Sequence, residues 1–355
     1  MSEIRAVQWN PVTSEIDLLD QTLLPGQNVT FICGSVDRLI DAIARLVVRG
    51  APALGAAGAL GVALAMIEAE REGWAVDTLA ERVDAIRDAR PTAVNLAWGV
   101  ERVRPFMALG VSAVLEEAAA LITEDERANH DLSSRGADWI MAAVERRPLR
   151  VMTHCNAGAL ATTGWGTSVG IIRELHNRGV LELVYANETR PLLQGSRLTA
   201  WELERYGIPC LIETDGAAAS TALRGLVDVA IIGADRIARN GDVANKIGSL
   251  GVALGCAAAG IPFVVAAPSS TVDLSTATGD DIEIELRSEE EILSFAGVRA
   301  APDNARGFNP AFDVTPARYV SAIATEFAVV EPDGTTAVTP LVGPGTSQDS
   351  SGEPS

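Results

Sequence analysis

The spacing of hydrophobic positions changes twice along this 355-residue chain. Over residues 3–10 and 28–33 apolar and polar positions alternate (Ile4, Ala6, Gln8; Val29, Phe31, Cys33), which predicts short antiparallel strands. Residues 20–27, with Pro25-Gly26, read as a turn. From Val36 the spacing becomes helical, with Leu39, Ile40, Ile43, Leu46 and Val47 on one stripe, and Arg49-Gly50-Ala51-Pro52 stops it. A second helix, rich in Gly and Ala, is predicted over about 54–70, and others over 77–89, 94–109, 112–127 and 131–145. From Leu149 strand and helix alternate. Strands over 149–153, 181–187, 209–213, 228–232 and 261–266 are separated by helices over 168–178, 196–206, 217–224 and 244–259. That order predicts a mostly parallel, doubly wound, Rossmann-like α/β sheet. The chain then divides into an N-terminal small sheet and helical domain (1–145), a Rossmann-like catalytic domain (146–335) and a tail (336–355). The tail is rich in Gly, Ser, Pro and Thr and is expected to be disordered.

Composition narrows the function. Hydrophobic residues make up 48% and charged residues 21%, the balance of a globular protein. A net charge of −19 argues against nucleic acid and anionic membrane as partners. Any phosphorylated ligand must therefore be met by a local cluster of cations. The longest uncharged run, residues 51–67, is mostly Ala and Gly and reads as a tightly packed buried helix rather than a membrane span. Four scattered cysteines without a CxxC pair, and three histidines without ligand spacing, predict no metal site and a reduced, cytoplasmic setting. The first ten residues lack a basic and apolar signal region.

The candidate chemistry centres on residues 149–177. A short strand ends at Thr153 and delivers His154 and Cys155 into a Gly-, Ala- and Thr-rich loop before a helix. Ligands of parallel sheets sit at such strand ends. A cysteine there is a small buried apolar residue or a nucleophile whose thiolate a helix terminus and a neighbouring cation favour. Asp235 follows the strand 228–232, either as a turn cap or as an acid whose pKa an apolar crevice raises. Asn245-Lys246, near the start of the predicted 244–259 helix, suits phosphate through the lysine and helix-terminal amides. Arg49-Gly50-Ala51 and Arg90 offer planar guanidinium forks and close backbone approach. Gln194 suits a sugar hydroxyl. Each of these is otherwise an ordinary solvated or capping residue. Gly164, Gly166 and Gly170 spell GxGxxxG, but about ten residues separate the first from its strand, which argues against dinucleotide binding.

The blocks RGAPALGAAG, ARPTAVNLAW, THCNAGALATTGWGTSVGIIRE, ETRPLLQGSRLTAWEL, GADRIARNGDVANKIGS, PFVVAAPSSTVD and FNPAFDVTPARY resemble the signature blocks of the methylthioribose-1-phosphate isomerases. That family is grouped with ribose-1,5-bisphosphate isomerases and with regulatory subunits of the initiation-factor two B exchange complex. The resemblance runs from about residue 3 to 330. It implies interconversion of 5-methylthio-D-ribose 1-phosphate and 5-methylthio-D-ribulose 1-phosphate in methionine salvage, with Cys155 and Asp235 catalytic. It implies Arg49, Gly50, Ala51, Arg90, Gln194, Asn245 and Lys246 as substrate-binding residues, a homodimer, and no metal or organic cofactor. The chain departs from the family where many members read YADETRP and it has Asn187. It departs again where many read DNMAA or DSMAG and it has Asp215-Gly216-Ala217-Ala218, near the expected pocket. That second departure makes 5-deoxyribose 1-phosphate a further candidate substrate. The alternatives are a ribose-1,5-bisphosphate isomerase or a non-catalytic regulatory subunit; the joint presence of Cys155, Asp235 and the VANK block favours the enzyme.

Overall fold

The computed structural model describes residues 3–90 and 94–343. Pro91, Thr92 and Ala93 of the ARPTAVN block, and residues 344–355 of the expected tail, lie outside them. The chain opens with a three-stranded antiparallel sheet of β1 (Val7–Asn10), β2 (Glu15–Leu19) and β3 (Thr30–Cys33). Strand β2 was not among the expected strands, although its fully buried Ile16 and Leu18 alternate with Glu15 and Asp17; Leu19 breaks the alternation at its end.

Helices α1 (Val36–Ala44), α2 (Ala51–Glu72), α3 (Val76–Arg87) and α4 (Val94–Val103) follow. Pro52 sits in the first turn of α2 rather than ending the helix before it, where its missing N–H costs nothing. Helix α2 is long and apolar enough to cross a membrane by length and composition, and 78% of its most apolar window is buried inside the protein. Its glycines let neighbouring backbone approach: a Cβ on Gly58 would lie 2.8 Å from the Leu96 carbonyl oxygen of α4. The predicted 94–109 helix ends at Val103, and Pro105 turns residues 104–109 into a 3₁₀ segment.

Residues 112–127 and 131–145 form one helix, α5 (Val111–Ala143), instead of two. The polar stretch that interrupts the apolar pattern finds partners for most of its groups, though Asn129 Oδ1 is unpartnered among the described residues. Asn129 Nδ2 donates to Asp125 Oδ2 (3.0 Å) and to the Gly164 carbonyl (3.3 Å), and Ser133 Oγ donates to the Asn129 carbonyl (2.6 Å). The first half of α5 packs Val114, Ala118 and Leu121 into the N-terminal core. Its second half packs Leu132, Ala137 and Ile140 onto the large sheet. The second unit's core thus begins inside α5, ahead of the expected division at 145/146.

The remaining elements are β4 (Leu149–Thr153), α6 (Ser168–Asn177), β5 (Leu181–Asn187), α7 (Ala200–Arg205), β6 (Cys210–Glu213), α8 (Ala218–Leu223), β7 (Val229–Ile232), β8 (Arg236–Ala238), β9 (Val243–Lys246), α9 (Ser249–Ala259), β10 (Phe263–Ala266), β11 (Val272–Asp273), α10 (Glu290–Leu293), β12 (Ser294–Phe295), β13 (Val298–Arg299), β14 (Phe312–Thr315), β15 (Ala322–Ala324) and β16 (Val329–Val330). The main sheet has the order β16-β15-β10-β7-β4-β5-β6 and is parallel except for the edge strand β16. Helices α5 and α6 cover one face, and α8 and α9 contribute to the core on the other. This is the doubly wound α/β architecture that the strand–helix rhythm predicts.

Two expectations change here. The VANK residues lie on strand β9 of a second sheet, β11-β8-β9-β14, and not in a helix. Gly248, at φ 106, ends that run, so α9 begins at Ser249. Of the tail expected from 336, the described residues reach 343, and Val338 and Leu341 are buried in the core with residues of β10 and β15.

Candidate active site

The order of the main sheet reverses beside β4. The chain leaves β4 toward β5 and β6, then returns to place β7 and β10 on the other side. Open α/β sheets bind ligands in the crevice at that point. The loop after β4 brings His154, Cys155 and Asn156 there, and the loop after β7 brings Gly233, Ala234 and Asp235. Arg49, Gly50 and Ala51 enter from the start of α2, Asn245 and Lys246 from the end of β9, Arg90 from beyond α3, and Gln194 from the turn leading to α7. All nine candidate residues line one open cavity.

Cys155 sits in a left-handed backbone conformation, φ 62, which is costly for a side chain and is held by neighbours. Its N–H donates to Thr189 Oγ1 (2.8 Å) and its carbonyl accepts from Thr199 Oγ1 (2.6 Å). Burial pushes the thiol pKa up, Arg49 and Lys246 oppose this, and Asp235 adds to it. The helix-terminal N–H groups expected to favour a thiolate are already occupied. Helix α6 starts at Ser168, and the N–H groups of Thr167 and Val169 at its start donate to the Ala157 carbonyl.

Asp235 is anchored by its N–H, which donates to the Ala244 carbonyl (2.9 Å). Asp235 is exposed to the solvent of the open cavity, while protein packs closely around its carboxyl. Burial there raises its pKa, while Lys246, Arg49 and Arg90 pull the other way and Glu285 assists the rise. The protein wall around the carboxyl, more than its contact with cavity water, sets the local dielectric.

The cations differ in what they can still bind. Arg49 donates through Nε to Gln21 Oε1 (3.2 Å), through Nη1 and Nη2 to the Asn156 carbonyl (2.9 and 3.0 Å), and through Nη2 also to Asn156 Oδ1. Its fork is therefore held by protein, and it offers the cavity charge more than a free pair of donors. Asn156 is fixed in turn by Nδ2 donating to Glu202 Oε1 (2.8 Å) and Thr199 Oγ1 (3.2 Å). Lys246 Nζ donates to the Ala311 carbonyl (2.9 Å) and lies 4.3 Å from the centre of the Phe312 ring. Arg90 is 3.7 Å from Glu285, and burial lowers its pKa. Gly50, at φ 97, allows a backbone path no side chain could follow, since a Cβ there would overlap the Ala161 carbonyl oxygen.

The amides expected to assist Lys246 are taken. The N–H groups of Gly248 and Leu250, at the start of α9, donate to the Asp313 carboxylate (2.7 and 3.1 Å). Asn245 Nδ2 donates to Ser249 Oγ (2.8 Å). Gln194 is 7% exposed and its Oε1 has no hydrogen-bond partner among the described residues, so it presents an unused acceptor to the cavity. Residues 216–218 do not line the cavity; Asp215 accepts the N–H groups of Thr189 and Arg190, and Ala218 is buried in the core. Sequence reasoning passed over Asn156 and Arg287. Arg287 lines the cavity from an acid-rich stretch and pairs with Glu291 (2.5 Å) and Glu285 (3.2 Å). Nothing in its spacing points to the cavity, whereas Asn156 adjoins Cys155. Gly170 of the GxGxxxG run faces Ser133 and Trp165, so it serves the packing of α6 on α5.

Fold and cavity define a Rossmann-like α/β protein with a switch-point site holding one acid, one thiol and four cations. The chain belongs to the initiation factor 2 subunit family, whose model matches residues 47–332. It is 50% identical over 324 residues to a probable bifunctional methylthioribose-1-phosphate isomerase/methylthioribulose-1-phosphate dehydratase of Nocardia farcinica, covering 91% of this chain and spanning 58% of that protein. It is 47% identical over 333 residues to a methylthioribose-1-phosphate isomerase of Gloeobacter violaceus, covering 93% of this chain and 94% of the relative. A 5-deoxyribose 1-phosphate isomerase of Moorella thermoacetica is 45% identical over 340 residues, with 93% and 95% covered. Among solved structures, the 5-methylthioribose 1-phosphate isomerase from Pyrococcus horikoshii aligns with a TM-score of 0.83 at 38% identity, covering 92% of each chain. The translation initiation factor eIF-2B subunit delta from A. fulgidus also aligns with a TM-score of 0.83, at 41% identity, covering 95% of this chain and 99% of that one.

Proposed function

We propose that the protein is an aldose–ketose isomerase that converts 5-methylthio-D-ribose 1-phosphate into 5-methylthio-D-ribulose 1-phosphate. The observation that carries this is the meeting of Cys155 and Asp235 in one cavity with Arg49, Arg90, Lys246 and Arg287. The 45–50% identity to relatives named for this reaction, or for its 5-deoxy counterpart, supports it.

The substrate's anomeric carbon carries phosphate, so no free aldehyde is available and the ring must open with the phosphate in place. Asp235, whose pKa the surrounding cavity wall raises, is the acid placed to donate a proton to the ring oxygen. Hydrogen then moves from carbon two to carbon one, and the carbon-two hydroxyl returns a proton to Asp235, leaving the ketone. Two routes are compatible with this cavity: a direct hydride shift from carbon two to carbon one with Cys155 alongside, or abstraction of the carbon-two proton by the Cys155 thiolate to give an enediol, followed by return of that proton from the thiol to carbon one. Uptake of solvent deuterium at carbon one excludes a strictly direct shift. Lys246, Arg90 and the held charge of Arg49 bind the phosphate, Gln194 and Asn245 meet sugar hydroxyls, and Gly50 and Ala51 let the ligand approach backbone. The Moorella relative supports 5-deoxyribose 1-phosphate as a second substrate. The working form is a cytoplasmic homodimer that needs no metal or organic cofactor and no nucleic-acid or membrane partner.

Turnover of 5-methylthioribose 1-phosphate by the purified protein tests the proposal, with Cys155→Ser and Asp235→Asn measured alongside. Ketose formation that falls by roughly 10²–10⁴ in Asp235→Asn, and strongly in Cys155→Ser, is the expected result. Wild-type inactivity on this sugar, on 5-deoxyribose 1-phosphate and on ribose 1,5-bisphosphate would make a regulatory subunit the better reading.

A further inference from the structure

Glu202, in α7, is fully buried and does not line the cavity, yet it grips the loop that follows Cys155. Its Oε1 accepts from Asn156 Nδ2 (2.8 Å) and from the Leu160 N–H (3.3 Å), and its Oε2 from the Ala159 N–H (2.8 Å). Gly158 lies against the same carboxyl, where a Cβ would overlap both oxygens. Thr199, three residues earlier, donates to the Cys155 carbonyl (2.6 Å) and accepts from Asn156 Nδ2 (3.2 Å). Burial raises the pKa of the Glu202 carboxyl, and the Asn156 amide, the two backbone N–H groups and Arg49 oppose the rise. Two routes lead from this carboxyl to Arg49. The first runs through Asn156. Its Nδ2 points at Glu202, so its Oδ1 faces the other way and accepts from Arg49 Nη2. A flipped amide would set NH2 against guanidinium and oxygen against carboxyl, so the two groups fix the amide between them. The second route runs through the Leu160 peptide. Its N–H donates to Glu202, and the Leu160 carbonyl accepts from Gln21 Nε2 (2.7 Å), whose Oε1 accepts from Arg49 Nε (3.2 Å). Arg49 is thus gripped by two side-chain amides, and both trace back to one buried carboxyl.

We infer that Glu202 is a positioning residue for the isomerisation: through Asn156, and through the Leu160 peptide and Gln21, it fixes the Arg49 guanidinium at the cavity wall and so places the charge that meets the sugar phosphate. Glu202 does not reach the substrate itself. A cation already held in place needs no reorganisation when an anion arrives, and that is its advantage over a mobile one. A guanidinium released from these amides loses the advantage. The loss falls on phosphate binding, which substrate and transition state share, so KM moves more than kcat. The link to turnover rests on the isomerase reading; the hold on Arg49 is measurable without turnover.

Nitrogen-15 NMR of the full chain labelled at arginine tests the hold, with Arg49→Lys used to assign the Arg49 signals. A held guanidinium gives separate Nη1 and Nη2 signals because rotation about its Nε–Cζ bond is blocked, and a released one gives an averaged signal. Separate signals in the wild type and an averaged signal in Glu202→Gln are expected. An averaged signal in the wild type, or separate signals in the variant, would overturn the inference. Kinetics on 5-methylthioribose 1-phosphate test the consequence: Glu202→Gln should raise KM roughly tenfold and change kcat little. The same substitution in an Arg49→Lys background should raise KM far less, because the residue it acts through is gone. Equal factors in the two backgrounds, or a lowered melting temperature with KM unchanged, would make Glu202 a structural residue only and overturn the inference. Should Glu202→Gln not fold, Glu202→Asp withdraws the carboxyl by one methylene and carries the same two readouts, while the wild-type spectrum still decides whether Arg49 is held. Absence of sugar turnover by the wild type, with the Arg49 signals as expected, would count against the isomerase reading alone.

Discussion

Asp235 carries a carboxyl whose pKa burial raises in the folded protein and nothing raises in the unfolded chain. The folded state therefore binds more protons than the unfolded state between the ordinary carboxylate value and the raised one. Stability contributed by this group is present at acid pH and is lost as pH rises through that window. Asp235→Asn removes the slope. The melting temperature of the variant minus that of the wild type should grow from acid to neutral pH, read by thermal scans at several pH values. A constant difference would mean that Asp235 titrates alike in both states. At this scale the sequence was informative for positions defined by chemistry and strand ends: Cys155, Asp235, Lys246 and the rest meet in one cavity. It was silent on availability. That Arg49's fork is occupied by Asn156 and Gln21, and that Asp313 takes the α9 amides, depends on residues 28, 107 and 65 positions away along the chain.

The elements positioning these groups follow local chemistry with identifiable exceptions. Gly50 is the sharpest case, because its φ of 97 and the adjoining Ala161 carbonyl both exclude a side chain. Gly50→Ala should cost about 1–3 kcal/mol in urea unfolding and raise KM, since α2 must shift to relieve the overlap. An unchanged KM would place Gly50 outside substrate binding. The VANK strand read as helix because Val243, Ala244 and the apolar residues after Gly248 share a helical spacing. Its pairing with β14, Asn245 opposite Asp313 and Lys246 opposite Phe312, decides otherwise. A four-residue strand of this kind owes its form to partners rather than to propensity.

Across the whole molecule, α5 belongs to two cores at once. Its first half packs with α2 and its second half with α6 and the sheet. Unfolding should therefore be a single transition. Ser134→Pro, in mid-helix, should lower stability by about 3 kcal/mol or more and displace the far-ultraviolet and tryptophan-fluorescence transitions together. Trp9, Trp74 and Trp98 report on the first unit and Trp139 and Trp165 on the second, while Trp201 packs with Ile4 and Leu24 and reports on their contact. Separate transitions would show that the halves unfold independently. The strand–helix rhythm after Leu149 by itself determined a doubly wound sheet, because periods of two and 3.6 differ and short connections leave few topologies. Residue chemistry at strand ends determined which side chains were candidates. Tertiary structure alone decided that α5 is continuous, that Val338 and Leu341 are buried, that burial outweighs the cations around Cys155, and which donors remain free. Each of those outcomes depends on what lies across the chain fold, and sequence spacing carries no record of a partner a hundred residues away.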